Sequence, residues 1–290
     1  MPGSAAAEAE PGTERTVNPM EKTNRGVALV TGASSGIGYA ATKALKAAGF
    51  GVYGTSRHTG AEGPDGVTML TCDVTDDASV AALIEAVMTE AGRIDLLVNN
   101  AGVGLFGGAE ESSLAQAQAL FDVNMFGVIR MTNAVLPIMR HQKSGRIINL
   151  SSALGFIPAP YSALYAATKH AVEGYSESLD HELRTLGIRV TLVEPAYTRT
   201  SFDANIIKPD RSLDAYASTR ADVAMAVEDA IRKGDTPETV AKTIVKAATE
   251  DEPKLRYPAG KVARQVSLLR RFVPAAAFDK SLRKMLRLPV

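Results

Sequence analysis

The residues of this chain best suited to chemistry are Tyr165, Lys169 four positions later, and Ser152 thirteen positions before the tyrosine. Residues four apart share one face of a helix, so the Lys169 ammonium can lie beneath the Tyr165 phenol. Ser152 closes the run Ile147-Ile148-Asn149-Leu150-Ser151-Ser152, which reads as a strand ending in hydroxyls. The string YAATK also occurs at Tyr39–Lys43, directly after Gly38, but that copy has no serine partner and reads as helix surface and packing. A phenol, an ammonium and a hydroxyl converging at a strand end beside a glycine-rich loop suggest coupled proton and hydride transfer, the chemistry of an oxidoreductase.

The elements that must position these groups follow a regular alternation. Short β-branched runs at Val27–Thr31, Val52–Ser56, Val67–Cys72, Ile94–Val98, Arg146–Leu150 and Arg189–Val193 read as strands buried on both faces. Between them, Ile37–Ala48, Ala78–Glu90, Ser113–Arg140 and Ala163–Leu186 carry helical spacing. The pattern predicts an α/β fold, a doubly wound parallel Rossmann-type sheet of about seven strands with helices on both faces. No low-complexity linker interrupts it, so residues 26–258 form one catalytic domain. Past Pro195 the chain turns polar and irregular, with a substrate lid over about 199–235 containing a helix at Ser212–Lys233. A further helix opens at Thr236-Pro237-Glu238, where Thr caps and Pro takes the first turn, and Lys254–Tyr257 is a candidate last strand.

Composition sets outer bounds. The 290 residues carry no net charge, so no chain-wide field favours nucleic acid or membrane. The lone cysteine, Cys72, excludes an intrachain disulfide and reads as a small buried side chain, which fits a reducing, cytoplasmic setting. No stretch approaches the ~18 apolar residues of a membrane span. Residues 1–25, rich in Pro, Gly, Ala and Glu without an apolar core, read as a disordered leader. His58, His141, His170 and His181 show no ligand spacing with Cys or acids, so no metal is expected. Residues 259–290 form a basic extension of two amphipathic helices broken at Pro274; from Lys261 onward it holds eight Lys/Arg against the single acid Asp279. Leu268, Leu269, Phe272, Val273, Phe278, Leu282, Met285 and Leu286 have a spacing that more often docks a helix on its own domain; the alternative is contact with an anionic membrane surface.

The segment Thr31-Gly32-Ala33-Ser34-Ser35-Gly36-Ile37-Gly38 lies between the first strand and the first helix. Glycines there let the backbone approach a pyrophosphate, while free N–H groups and the helix dipole favour its charge. At the end of the second strand, Thr55-Ser56-Arg57-His58 offers no acid for ribose hydroxyls, and none follows until Glu62. Arg57 instead presents a fork suited to a 2′-phosphate, so NADP(H) is preferred over NAD(H).

With these motifs the chain resembles the short-chain dehydrogenase/reductase family, strongly over Val27–Phe202 and in topology beyond; within it, Leu97–Phe202 is most similar to the hydroxysteroid and retinol dehydrogenases. Thr31–Gly38 matches the family's TGxxxGxG loop and Asn99-Asn100-Ala101-Gly102 its NNAG motif. The resemblance implies a catalytic set of Asn124, Ser152, Tyr165 and Lys169. It implies cofactor contacts from Gly32, Ser34, Ser35, Gly36, Ile37 and Gly38 in the loop, from Asp73 and Val74 at adenine, and from Asn100, Ala101 and Gly102. Tyr165, Lys169 (on the nicotinamide ribose), Thr198 and Thr200 complete that set, and Asn124 would anchor a water linking Lys169 to solvent. Two departures stand out: Pro195-Ala196 replaces the family's usual Pro-Gly, and the basic extension replaces a tetramer-forming tail, which favours a homodimer through the helices near 113–140 and 160–187.

In this reading Tyr165 is the general acid or base, Lys169⁺ favours its phenolate, and Ser152 donates to the substrate oxygen. Ala153, Leu154, Phe156, Ile157, Pro158 and Phe202 suggest an apolar pocket for a lipophilic alcohol or ketone, although the same residues could equally pack a lid on the sheet. Two competing classes are weaker. A nucleotide-sensing regulatory protein on this fold commonly lacks the Tyr or the Lys, and a sugar-nucleotide epimerase generally has a longer substrate domain.

Overall fold

The computed structural model describes residues 25–200, 202 and 205–288, so the expected leader lies, apart from Arg25, outside the described residues. Seven parallel strands build one sheet: β1 (Val27–Val30), β2 (Gly51–Ser56), β3 (Thr68–Thr71), β4 (Leu96–Asn99), β5 (Gly145–Leu150), β6 (Ile188–Pro195) and β7 (Arg256–Ala259). Their order is β3-β2-β1-β4-β5-β6-β7, all pairs parallel. The order reverses between β1 and β4, and in such sheets ligands bind beyond the carboxyl ends of the strands at that reversal.

Both faces of the sheet are covered, which explains the near-continuous apolar runs of its strands. On one face α1 (Gly36–Ala47) and α7 (Pro237–Thr249) pack over Ala28, Val30, Val98 and Ile148. On the other, α2 (Asp77–Ala91), α4 (Gly127–Gln142) and α5 (Ala163–Leu183) cover Leu29, Leu97, Ile147 and Val190. Local chemistry sets several helix ends. Asp76 caps α2 by accepting from the Ala78 N–H at 2.9 Å, and Gly92 ends it in the left-handed region at φ 69°. Thr236 stands at the N-cap of α7 without capping it; its hydroxyl bonds the Glu238 carboxylate instead.

The helix expected over Ser113–Arg140 is broken in two. α3 (Leu114–Phe121) runs into a π turn at Asp122–Phe126 before α4 begins. Taken together, Leu114–Gln142 is long and apolar enough to cross a membrane by length and composition, which corrects the expectation that no stretch comes close. Its inner face is occupied, however: Met131, Val135 and Met139 are fully buried in the sheet core, as a domain helix requires.

The remaining helices border the carboxyl edge. α6 (Asp214–Arg232) is the helix expected over Ser212–Lys233, and α8 (Lys261–Phe272) and α9 (Ala275–Met285) make up the basic extension. Glu111, fully buried, holds the start of α6 by accepting from Leu213 N at 2.7 Å and from the Arg220 guanidinium. The extension docks through Phe278, buried against Ala153 and Ile157, and through Arg287, 3.0 Å from Asp229 of α6.

Candidate active site

The turn after β1 is held open by close packing. Gly32 has φ +64°, and a Cβ on it would lie 3.0 Å from Ala101 Cα. A Cβ on Gly38 would strike the Gly32 carbonyl oxygen and the Asn100 amide. Only glycine fits at both places. Asn100 Nδ2 donates to the carbonyls of Thr31 and Gly32 at 2.9 and 3.0 Å, and Thr31 Oγ1 accepts from the N–H groups of Asn100 and Ala101, both at 3.0 Å. The side-chain amide of Asn100 and the N–H groups of Asn100 and Ala101 therefore shape the loop at the place where the cofactor contacts are expected. Ser35 takes the N-cap position of α1 without a side-chain cap, so backbone donors at that helix start face outward. Thr200 lies over the same turn: its Cβ is 3.3 Å from where a Cβ on Gly36 would stand. A cradle that side chains would fill, facing unsatisfied N–H groups, fits a dinucleotide pyrophosphate.

The flanks of the cradle bear the other expected contacts. Arg57 is exposed at the end of β2, and its charge helps hold the Asp73 carboxyl below its ordinary range, behind the larger effect of the Thr75 N–H bond. Val74 is buried beside it and packs on Gly127. Gly102 comes close to both Asn124 and Lys169: a Cβ on it would be 3.2 Å from Asn124 Oδ1 and 4.0 Å from Lys169 Nζ. Thr198 donates to the Ala196 carbonyl at 3.1 Å, and Ala196 adopts no left-handed conformation, so the missing glycine strains nothing at that turn.

Across the edge stand the residues expected to carry proton chemistry. Lys169 is buried and donates to the Leu150 carbonyl at 2.8 Å, which locks α5 to the end of β5 two residues before Ser152. Its Nζ is 5.8 Å from the centre of the Tyr165 ring, as the four-residue spacing requires. Burial pulls the ammonium from its ordinary 10.5 to about 8, against an opposing pull from Glu173. Ser152 begins a short turn over Ala153–Gly155 and accepts from Leu154 N at 3.1 Å, which leaves its O–H to donate.

Asn124 sits in the π turn, fully buried. Its side chain accepts from Val103 N at 2.9 Å and donates to Val103 O at 2.9 Å and to Thr168 Oγ1 at 3.2 Å. The amide is thereby used up joining the loop after β4 to the turn of α5 that carries Tyr165. Through its side chain Asn124 thus fixes the position of this loop relative to α5. π turns recur at functional sites because they redirect one residue out of the helix ladder.

The proposed substrate residues divide. Phe202 faces the site, its ring 6.2 Å from that of Tyr165. Ala153 and Leu154 instead join the cluster beneath α8 and α9, with Phe156 and Ile157. Part of their apolar surface is thus covered by the extension. Three aromatic rings complete the front. Tyr161, held at φ +60°, has its ring 5.9 Å from that of Phe106 and meets Tyr216 of α6 edge-on at 6.2 Å.

A cluster that the sequence reading missed lies one turn behind Lys169. Glu173 and Glu194 are both buried, and Arg256 of β7 reaches Glu173 at 3.0 Å and Glu194 at 3.4 Å while also pairing with Glu177 at 3.0 Å. The Glu194 contact lies within ion-pair reach but makes no hydrogen bond. Burial, reinforced by Glu173, pushes the Glu194 carboxyl up to about 8. Glu173 and Glu177 continue the four-residue row begun by Tyr165 and Lys169, a signal present in the sequence.

A family description, "short chain dehydrogenase", matches residues 26–211. The chain belongs to that family of oxidoreductases. It is 38% identical over 236 residues to the 3-ketodihydrosphingosine reductase of Bacteroides thetaiotaomicron, covering 81% of this chain and 87% of that one. It is also 38% identical over 251 residues to the 17-beta-hydroxysteroid dehydrogenase type 1 of Mus musculus, covering 80% and 72%. A short-chain dehydrogenase from Streptomyces avermitilis superimposes with TM-score 0.78 at 33% identity, covering 90% of this chain and 98% of that one. Two further solved relatives carry different nucleotides. One from Burkholderia phymatum holds NAD (TM-score 0.73, 28% identity, 86% and 94% covered), and a metagenomic enzyme holds NADP (0.62, 29%, 80% and 95%).

Proposed function

We propose that this chain is an NADP(H)-dependent dehydrogenase/reductase that interconverts a lipophilic primary or secondary alcohol and its aldehyde or ketone. The observation that carries the reading is Lys169: a buried ammonium, fixed to the Leu150 carbonyl and lying under the Tyr165 ring at the carboxyl edge of the sheet. A bound nicotinamide would supply or accept the hydride. In the reductive direction the Tyr165 hydroxyl gives its proton to the substrate oxygen, and Lys169 stabilises the phenolate left behind. With its proton affinity lowered only to about 8, Lys169 keeps its charge at neutral pH. Ser152 polarises the same oxygen with its free O–H. The backbone of Gly32–Gly38 and the Thr200 side chain hold the pyrophosphate side.

Arg57 supports the choice of NADP(H), since a cation rather than an acid ends β2. Because the solved relatives carry either nucleotide, residue 57 is the discriminator to test. Phe202, Phe106, Tyr161 and Tyr216 favour an apolar substrate, in keeping with the lipophilic compounds named for the two sequence relatives. We further read the chain as a cytoplasmic homodimer formed through α3, α4 and α5. Leu114 of α3 and Phe126 of the π turn are exposed on this surface, and the Cys72 thiol is buried and pushed up by burial.

The test is a panel of ketones and alcohols with NADPH and NADP⁺, run on the wild type and Tyr165→Phe. The variant should keep nucleotide affinity and lose about 10²–10⁴-fold in turnover. Tight nucleotide binding by a wild type that turns over nothing in the panel would instead assign a nucleotide-sensing role.

A further inference from the structure

We propose that α8 and α9 dock the protein on an anionic lipid surface, with the outer face of α8 as the contact. Membrane contact and packing on the domain look like alternatives for these helices, but a helix has two faces. The inner face is occupied: Ala263 and Phe278 are buried, and Val266, Val273 and Leu282 pack with Phe278 on Ala153 and Ile157. At 100° per residue, Leu268 falls opposite Ala263 and Val266 on α8, Leu269 at the edge of that outer face and Phe272 within it. Leu268, Leu269 and Phe272 are 59%, 48% and 71% exposed, which is unusual for three large apolar side chains so close together.

The charge beside this stripe selects the partner. Arg264 and Arg271 flank it, both exposed, and the Arg271 guanidinium lies 5.5 Å from the Phe272 ring. From Lys261 to Val290 the extension carries eight Lys/Arg and only Asp279 as an acid. A second copy of this chain on the same face would set arginine against arginine. An anionic headgroup layer instead meets the cations while the acyl boundary takes the apolar stripe. The inner face of the same helices rests on the loop that begins at Ser152, so docking would set the substrate side of the domain beside the lipid. That suits a lipophilic substrate, although the docking does not depend on the enzymatic reading.

The experiment is vesicle flotation of the full chain, comparing phosphatidylcholine alone with phosphatidylcholine doped with phosphatidylserine. Two variants accompany the wild type: Arg264→Glu/Arg271→Glu, and Leu268→Ser/Leu269→Ser/Phe272→Ser. The wild type should float with the doped vesicles, with about tenfold or greater preference, and should be released by high salt. Each variant should lose binding, the charge reversal by roughly thirtyfold. Melting temperature and turnover of a water-soluble ketone should stay at wild-type values, since none of these side chains enters the core or the site. Equal recovery on both vesicle types, or full binding by both variants, overturns the proposal. So does a wild type that ignores vesicles but loses self-association when the apolar stripe is removed, because the stripe is then an interface between copies. Flotation needs no turnover, so failure here and failure of the enzymatic reading are separate results.

Discussion

Replacing Lys169 by methionine tests whether the fold holds this ammonium at a cost. Burial lowers its proton affinity from 10.5 to about 8. A depression of that size corresponds to about 3 kcal/mol of native-state destabilisation while the amine is protonated in both states. Below pH 8 both native and unfolded chains carry the proton, so the full penalty applies. Between 8 and 10.5 the unfolded chain binds a proton that the native chain has released, so wild-type stability rises with pH through that window. Methionine has nothing to titrate and lacks that rise. The Leu150 carbonyl loses its donor in the variant, a cost of about 1–3 kcal/mol that is the same at every pH. The informative quantity is therefore the difference between the two pH profiles. From neutral pH to about pH 9.5 the wild type should gain about 2 kcal/mol on Lys169→Met. The assay is urea unfolding of the nucleotide-free proteins followed by far-UV circular dichroism, since the chain has no tryptophan. Parallel profiles for the two proteins would refute the argument, because they would mean that the buried amine holds its proton as tightly as it does in water.

Three other substitutions test neighbouring parts of the site. Glu194→Gln removes a carboxyl that is ionised in the unfolded chain above about 4.5 but stays protonated in the native state up to about 8. Stability should therefore fall with pH across that interval in the wild type and stay flatter in the variant, a difference of roughly 2–4 kcal/mol by pH 8.5; identical unfolding midpoints at pH 5 and 8.5 in both proteins would contradict it. Arg57→Asp should weaken NADPH binding by about tenfold or more and leave NADH binding equal or improved, read by titrating nucleotide fluorescence. An unchanged preference would make Arg57 a solvated surface residue. Gly38→Ala places a methyl against the Gly32 carbonyl and the Asn100 amide, so nucleotide affinity should drop by about tenfold and the fold should lose about 1–3 kcal/mol, while unaltered affinity would show that the cradle yields.

What the sequence disclosed and what it withheld divide along contact range. The strands were legible because a parallel sheet covered on both faces demands unbroken apolar runs, and Val27–Val30 and Leu96–Asn99 are buried at every position. Tyr165 and Lys169 were legible because a four-residue spacing on a helix is a local rule. The break at Asp122–Phe126 was not. Asn124 looks like any polar residue on a helix until Val103, 21 positions away, and Thr168, 44 positions away, claim its amide. The same limit hid the backing of the site. Leu150, Glu194 and Arg256 come from three adjacent strands, and only the fold brings them to α5.

The row on α5 also shows how the ammonium is tuned. Tyr165, Lys169, Glu173 and Glu177 follow one another at four-residue intervals, running from the chemistry to the solvent-exposed end at Glu177. Arg256 clamps the two glutamates, so the charge that supports Lys169 is itself supported from behind. Without Arg256, Glu173 would lose its nearest cation, and the burial that already raises its carboxyl would favour the protonated form further. The pull of Glu173 that opposes the desolvation of Lys169 would then weaken, and the lysine would hold its proton less tightly. By favouring the ionised form of Glu173, Arg256 preserves that pull on an ammonium held between the Leu150 carbonyl and the Tyr165 ring. The arginine on the last strand thus bears on the proton affinity of Lys169 without touching it.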